Sequence, residues 1–146
     1  MSTFHRDLNQ GKKVEDIVLA KIHKKYPLAS KLEGKVKPYD IYIPELNIYI
    51  EVKSDKKSQE TGNIVIEIEM YNKPSGLNST KSDIWIIYTG TEFIYITPSR
   101  IWECVSRNML APVKFIGKGD DQPKKAYLVK IDQLKQYKAK GVFNAN

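Results

Sequence analysis

The sequence predicts a mixed α/β domain, in which a central β-sheet is flanked by helices. Apolar residues first recur at helical spacing, then alternate with polar residues over three segments, and then form one short continuous apolar run. The first pattern is typical of an amphipathic helix, the second of half-buried strands, and the third of a strand covered on both faces. Because the 146 residues contain no repeat and no linker, we expect a single domain, 1–146, with loose ends at 1–11 and 138–146.

The first element is a helix predicted over 12–26. Val14 and Val18 lie on its apolar side, and the lysines of this segment fall largely elsewhere. Pro27 ends the helix, because a proline disfavours helical geometry in the residue before it. A short strand is expected next, over 28–33.

The clearest β signal is an antiparallel hairpin. Residues 40–43 and 48–53 both alternate between apolar and polar, and the turn-forming segment 44–47 separates them. A third alternating strand is predicted over 63–70, and we expect the three strands to lie side by side in one sheet. A polar connector follows at 71–82.

The second half of the chain is predicted to complete the sheet and to add a helix. Residues 84–88 form the continuous apolar run, and 93–96 follow after a turn. Pro98 suits the first turn of a helix over 98–108, for which Thr97 is the predicted N-cap. The remaining predicted elements are two strands, near 113–116 and 126–131, and a short helix over 132–137.

The composition excludes several classes of protein. No apolar run approaches the ~18–20 residues of a membrane span, and the first residues lack an apolar signal segment. The single cysteine, Cys104, excludes an internal disulfide framework and a cysteine-based zinc cluster. We therefore expect a soluble protein of the cytoplasm that has no membrane partner.

The net charge of +7 is unevenly distributed along the chain. Residues 1–37 carry nine basic and four acidic side chains, 38–95 carry five and nine, and 96–146 carry ten and four. An acidic middle between basic flanks is expected where a metal-binding carboxylate cluster is framed by a surface that binds phosphate. Ordinary local scatter in a basic protein is the alternative interpretation.

The alternation of the strands gathers acidic side chains on one face. Asp40, Glu51 and Glu67 each lie opposite the isoleucines of their own strand, and Lys53 shares the face of Glu51 at a distance of about 7 Å along the strand. Two neighbouring carboxylates can hold Mg²⁺ or Mn²⁺ through oxygen, and a lysine can stabilise the attacking hydroxide of phosphodiester hydrolysis. The alternative is a solvent-exposed sheet face, on which these charged side chains are only solvated.

Two short segments carry a resemblance to a known family. They are Pro38-Tyr39-Asp40-Ile41 and Ile50-Glu51-Val52-Lys53, with ten residues between Asp40 and Glu51, on a predicted hairpin that follows a helix. In these features, over roughly residues 11–97, the sequence resembles the PD-(D/E)xK nuclease superfamily, and within it the small phage-type and Holliday-junction-resolvase-like members. The proline lies one place earlier than in a strict Pro-Asp pair.

The resemblance implies a restriction-endonuclease-like αβββαβ core, to which this chain would add a C-terminal β/α extension. It also implies an enzyme that hydrolyses DNA phosphodiester bonds with Mg²⁺ or Mn²⁺, of the junction-resolving, recombination or restriction type. The expected partner is branched or duplex DNA, and members of the superfamily often form homodimers.

The site residues that the resemblance implies are those of the two motifs. Asp40 and Glu51 would bind the metal together with the carbonyl oxygen of Val52, and Lys53 would assist the attacking water. Glu67, on the third predicted strand, is a supporting candidate.

The first helix supplies one further candidate. Gly11-Lys12-Lys13-Val14-Glu15 is similar to the start of the first helix in resolvase-like members, where an acid often reaches the metal. Glu15 would then bind through water or hold a second metal; alternatively, it forms a surface pair with Lys12 or Lys13.

Lysines near the acidic motifs are candidates for contact with nucleic-acid phosphates, although charged loops are usually only solvated. These lysines are Lys12, Lys13, Lys56, Lys57 and Lys81. Two other functions remain open from the sequence: a non-catalytic nucleic-acid-binding module on the same fold, and an interaction subunit whose basic surface binds a protein.

Overall fold

The computed structural model describes residues 3–34, 37–116 and 123–140, with side chains from Lys13 onward. Within these residues the fold is mixed α/β, with two β-sheets and four α-helices. The helices are α1 (Thr3–His23), α2 (Ser58–Thr61), α3 (Pro98–Arg107) and α4 (Ile131–Lys135). The strands are β1 (Ser30–Lys31), β2 (Ile41–Ile43), β3 (Ile48–Ser54), β4 (Asn63–Met70), β5 (Lys73–Pro74), β6 (Ile84–Tyr88), β7 (Phe93–Ile96), β8 (Val113–Phe115) and β9 (Lys124–Lys130).

The first sheet has the strand order β1-β2-β3-β6-β7. The predicted hairpin is confirmed: β2 and β3 pair antiparallel, with Ile41 opposite Ile50. Strand β6 then pairs with β3 in parallel, with Glu51 opposite Trp85, and β7 pairs antiparallel with β6. The continuous apolar run of β6 is buried on both faces, as its sequence predicts.

Helix α1 covers one face of this sheet. The buried residues of this core come from α1, from strands β2, β3 and β6, and from the segment before β1: Val14, Val18, Ile22, Ala29, Ile41, Ile43, Ile50, Ile84 and Ile86. The predicted start of α1 at Lys12 is wrong, because the helical backbone extends from Thr3. The apolar pattern marked the turns that pack on the sheet, and no proline interrupts the turns before them.

The position predicted for the strand 63–70 is also wrong. The strand forms, as β4, but it belongs to a second sheet with the order β5-β4-β9-β8. The edge of β3 is taken by β6, and β4 instead pairs antiparallel with β9, with Ile64 opposite Val129. The apolar side of β4 then packs on the first sheet, so that Ile64 and Ile66 share a core with Trp85 and Ile87.

Helix α3 closes this second core. Thr97 is its N-cap, as predicted, because the Thr97 side-chain oxygen accepts a hydrogen bond from the Arg100 backbone N–H. Cys104 lies in the core with no exposed surface, and burial raises the pKa of its thiol. None of the helices in the described part of the chain combines the length and the apolar character that a bilayer span requires.

The close approach of Gly76 to the backbone of Glu67 leads to a first prediction. Gly76 has φ +52°, and a Cβ there would lie 2.2 Å from the carbonyl oxygen of Glu67 on β4. We expect Gly76→Ala to lower the free energy of unfolding by about 3 kcal/mol or more, because the left-handed conformation and the clash both add. Chemical denaturation measures the loss.

Gly62→Ala is the matched control. Gly62 has φ +76°, but a Cβ there would meet no atom of the described residues within 4 Å. The conformation alone should cost about 1–2 kcal/mol at this position. Equal losses in the two variants would contradict the close approach at Gly76.

Candidate functional site

Asp40, the residue just before β2, is fixed by three hydrogen bonds. Its backbone N–H donates to the Ile50 carbonyl at 2.8 Å, and its carbonyl accepts from the Leu32 N–H at 2.9 Å. Its side-chain Oδ2 accepts from the backbone N–H of Val52 at 2.7 Å. The carboxylate is therefore held directly against the middle residue of the Glu51-Val52-Lys53 segment.

Glu51 is a mostly buried carboxylate whose charge is only partly compensated. Its side chain is 18% exposed, and Oε2 lies 3.4 Å from the Lys53 ammonium. Oε2 is shielded from solvent, and no donor of the described residues reaches it in hydrogen-bond geometry. Burial raises the pKa of Glu51 most, the nearby Lys53 charge opposes this rise, and the negative charge of Asp40 adds to it.

Lys53 lies where the site opens to solvent. Its side chain is 48% exposed, and its ammonium lies 5.4 Å from the centroid of the Trp85 ring. A cavity of about 240 Å³ between β3, β4 and β6 begins at Lys53 and is otherwise lined mainly by apolar side chains. The ammonium is therefore near Glu51 and still accessible to a ligand.

Lys37, which was not predicted, bridges the other two acids. Its ammonium lies 3.3 Å from Asp40 Oδ1, 3.4 Å from Glu15 Oε1 and 3.4 Å from the Leu32 carbonyl. The two carboxylates raise the pKa of Lys37, even though burial acts in the opposite direction. The two motifs that contain Asp40 and Glu51 do not include this lysine. The one sequence signal that could have identified Lys37 is its spacing of three residues from Asp40.

Glu15 reaches the site from α1. Its pKa is raised mainly by burial and then by the charge of Asp40, while Lys37 acts in the opposite direction. Glu15 thus pairs with Lys37 and not with Lys13, the alternative partner that the sequence offers. For Lys12, the other lysine considered there, the side chain lies outside the described part of the chain.

Glu67 does not join these residues. Its Oε2 accepts a hydrogen bond from Ser75 Oγ at 2.8 Å, and its Oε1 lies 3.5 Å from the Lys124 ammonium, within the second sheet. The expectation that Glu67 lies beside Asp40 and Glu51 on one sheet is therefore wrong. The cause is the pairing of β4 with β9, which removes β4 from the sheet of β2 and β3.

The candidate phosphate-binding lysines lie at different distances from the acids along the chain. Lys56 and Lys57 are exposed in the turn that follows β3, just beyond Lys53. Lys13 on α1 and Lys81 before β6 are also exposed. Their contact with phosphate stays a prediction.

Carboxylate oxygens of the kind that Asp40 and Glu51 offer are suitable ligands for a hard divalent cation. The described acidic side chains are nevertheless not gathered closely enough to enclose one. In the described part of the chain, no three His, Cys, Asp or Glu side chains lie close enough together to form a metal site. Asp40 and Glu51 nevertheless interact, and the shielded Oε2 of Glu51 has no hydrogen-bond partner among the described residues. A cation bound there would compensate the charge that Lys53 leaves partly unbalanced.

Comparison of the chain with protein-family models, curated proteins and solved structures finds no match. The functional interpretation therefore rests on the residues described above and on their geometry.

The Lys37 bridge makes a second prediction, about stability. Lys37→Met keeps the aliphatic stem but removes the ammonium that bridges Glu15 and Asp40. We expect the variant to lose about 2 kcal/mol at pH 7, less than a fully buried pair would because Lys37 is partly exposed. The loss should shrink as the pH is lowered from 7 to 5, because burial and the Asp40 charge raise the pKa of Glu15, whose negative charge is then lost more readily.

Lys31→Met is the control for this prediction, since Lys31 pairs with the exposed Asp16. Its loss should be below about 1 kcal/mol. Denaturant unfolding at pH 5 and pH 7 measures both variants. A Lys37→Met loss no larger than that of Lys31→Met would contradict the bridging role.

The raised pKa of Glu51 makes a third prediction, about pH. A carboxyl group whose pKa is raised on folding binds its proton more tightly in the native state, so stability falls as pH rises through the folded pKa. In chelator, Glu51→Gln should therefore melt higher than the wild type at pH 7.5, and the difference should vanish toward pH 4. A shift of 1 kcal/mol moves the melting temperature by roughly 3–6 °C in a domain of this size, which calorimetry resolves.

Glu60→Gln is the control, because Glu60 is exposed in α2. It should not reproduce the pH-dependent gain. If Glu51→Gln were less stable than the wild type at every pH, Glu51 would be a net stabilising charge, contrary to its burial.

Proposed function

We propose that this chain is a divalent-metal-dependent endonuclease that hydrolyses DNA phosphodiester bonds. One observation carries the proposal: Asp40 Oδ2 accepts the Val52 N–H, and this bond joins the carboxylate to the Glu51-Val52-Lys53 segment. Asp40, the mostly buried Glu51 and the accessible Lys53 thus lie within one short stretch of a hairpin. This is the set of groups that metal-assisted phosphodiester hydrolysis requires.

The order of the elements supports the proposed restriction-endonuclease-like core. A helix, three antiparallel strands and a later strand parallel to the third follow one another as α1, β1-β2-β3 and β6. The crossover between β3 and β6 differs from a simple helical connection, because it holds the four-residue α2 and the strands β4 and β5. We propose that these strands are an insertion in the crossover, and that α3 to α4 form the C-terminal extension.

Asp40, Glu51 and the Val52 carbonyl are the groups that would hold Mg²⁺ or Mn²⁺. The metal would supply positive charge to a phosphoryl oxygen and to a bound water. Lys53 is half-exposed beside Glu51, so its ammonium can reach the attacking water or the charge that develops on the phosphate. Glu15 and Lys37 orient Asp40 from the α1 side.

The surface around this site supports a nucleic-acid partner. Exposed lysines lie beyond the end of β3 and before β6, and the whole chain carries a net charge of +7. We propose that Lys12, Lys13, Lys56, Lys57 and Lys81 contact the backbone of branched or duplex DNA, that the enzyme works in the cytoplasm, and that it acts as a homodimer.

A second candidate function is a non-catalytic nucleic-acid-binding module. The observation that favours it is Lys37, whose ammonium already neutralises Asp40 and Glu15. In that case the acids would be a structural ion-pair network, and binding would need no metal.

The fourth prediction separates these functions. Protein stripped of metal is mixed with labelled junction, flap, duplex and single-stranded DNA and with RNA, and Mg²⁺ or Mn²⁺ is added. The wild type should cut DNA, and Asp40→Asn and Lys53→Ala should each lower the rate at least roughly 100-fold. Lys53→Ala should still bind DNA, because Lys53 acts mainly on the transition state.

Glu69→Gln is the matched control, since Glu69 is an acid of the second sheet that pairs with Lys125. It should cut at the wild-type rate. Cleavage that persists in excess chelator or in Asp40→Asn would refute the proposed mechanism. Salt-dependent binding without cleavage under any metal would favour the binding module.

A further inference from the structure

Three tyrosines form a stack on the sheet face that carries Glu51. The ring of Tyr49 on β3 lies 4.7 Å from that of Tyr42 on β2, nearly parallel to it, and 4.4 Å from that of Tyr39, at a larger tilt. Tyr42 and Tyr49 are direct cross-strand partners. The hydroxyl of Tyr42 also donates to Asn47 Oδ1 at 3.0 Å.

This tyrosine stack is not part of either apolar core of the described residues. All three rings are half-buried, and neither core includes them. The second sheet covers the neighbouring part of the same face, where Trp85 and Ile87 are buried. The tyrosine stack is therefore an aromatic surface that borders the core and remains accessible to a ligand.

Strand β3 aligns this surface with the candidate active site. Tyr49, Glu51 and Lys53 alternate along one face, and each step of two residues spans about 7 Å. The exposed Lys56 and Lys57 follow beyond the strand end. The order along β3 is thus aromatic rings, carboxylate, ammonium and then two further ammonium groups.

This order separates the surfaces that suit bases from those that suit phosphates. At the tyrosine end the rings offer a surface that suits an uncharged base, and one carboxylate lies beside them, since Asp83 Oδ2 accepts the Tyr49 N–H at 2.8 Å. The lysine end attracts phosphate. A nucleic-acid strand laid along β3 would therefore have a base at the tyrosines and its backbone at the lysines.

We propose that the tyrosine stack binds an unpaired nucleobase, so that the site takes nucleic acid with unpaired bases beside the phosphate it cuts. Aromatic side chains bind single strands because each base offers a π-face, whereas both faces of a base inside a duplex are already stacked. The preference of the site for cutting single strands, flaps or open junctions over continuous duplex rests on the proposed function. Binding of a base by the tyrosine stack does not depend on that function.

Binding measured in chelator tests the proposal without any cleavage. Fluorescence anisotropy compares a short single strand, the matching duplex and a single strand of abasic sites. Tyr42→Leu should weaken binding of the normal single strand about tenfold, the ordinary effect of losing one stacked base, and leave the duplex and the abasic strand unchanged. Tyr42→Phe should bind like the wild type, because it retains the ring.

Tyr71→Leu is the matched control, since Tyr71 is a 48% exposed tyrosine in the turn after β4, outside the tyrosine stack. It should bind all three ligands like the wild type. Tyr39→Leu serves as a second variant of the stack, and should reproduce the selective loss if Tyr42→Leu does not fold.

Two results would overturn the inference: single-strand binding that is unchanged in both leucine variants, or a loss that is equal for the normal and the abasic strand. Metal-dependent cleavage of duplex DNA alongside either result would leave the proposed function standing. Selective binding without cleavage would instead retain the base-binding surface and reject the nuclease.

Discussion

The hydrogen bond from the Val52 N–H to Asp40 Oδ2 is the interaction on which the site depends. Asp40 precedes β2, and its position is set by backbone hydrogen bonds to Leu32 and Ile50. The side-chain bond adds a constraint of a different kind, because it fixes the direction of the carboxylate relative to the residue between Glu51 and Lys53. Without it, Asp40 would be one acid at the end of a short strand, and the relative positions of the two acids would depend on the hairpin backbone alone.

The charges around this bond are balanced unequally. Glu15 and Asp40 share the ammonium of Lys37, whereas Glu51, which is itself mostly buried, pairs among the described residues with the half-exposed Lys53 alone. A partly uncompensated buried charge destabilises a fold unless a ligand compensates it. The acidic middle of the sequence is thus not uniform in the structure: Asp40 is neutralised by Lys37 from the preceding basic segment, whereas the charge of Glu51 is only partly compensated.

Much of the fold could be predicted, because the relevant forces are local. The hairpin of β2 and β3 follows from alternation and turn residues, and the N-cap of α3 follows from Thr97 and Pro98. The continuous apolar run of β6 indicated burial on both faces, and the structure agrees. These features depend on residues within a few positions of one another.

The features that were missed depend on contacts between distant segments. The alternation of apolar and polar residues in β4 predicts a strand but does not indicate which strand it pairs with. The pairing of β4 with β9 joins residues more than fifty positions apart. Glu67 was therefore assigned to the wrong sheet. Lys37 was missed for the same reason: its pairing with Glu15 requires α1 to pack beside the loop before β2, and residues in that loop follow no periodic pattern.

The pairing of β4 in the second sheet, and not in the first, also determines the surroundings of Glu51. By pairing with β9, β4 brings Ile64 and Ile66 over Trp85 and Ile87, and so covers one half of the sheet face. The tyrosine stack occupies the face beyond that cover. Glu51 lies at the boundary, opposite Trp85 in register and two residues from Tyr49. A carboxylate at such a boundary loses water to the core on one side yet remains within reach of a ligand on the other, and these are the two conditions under which a buried acid can bind a cation or tune a reaction.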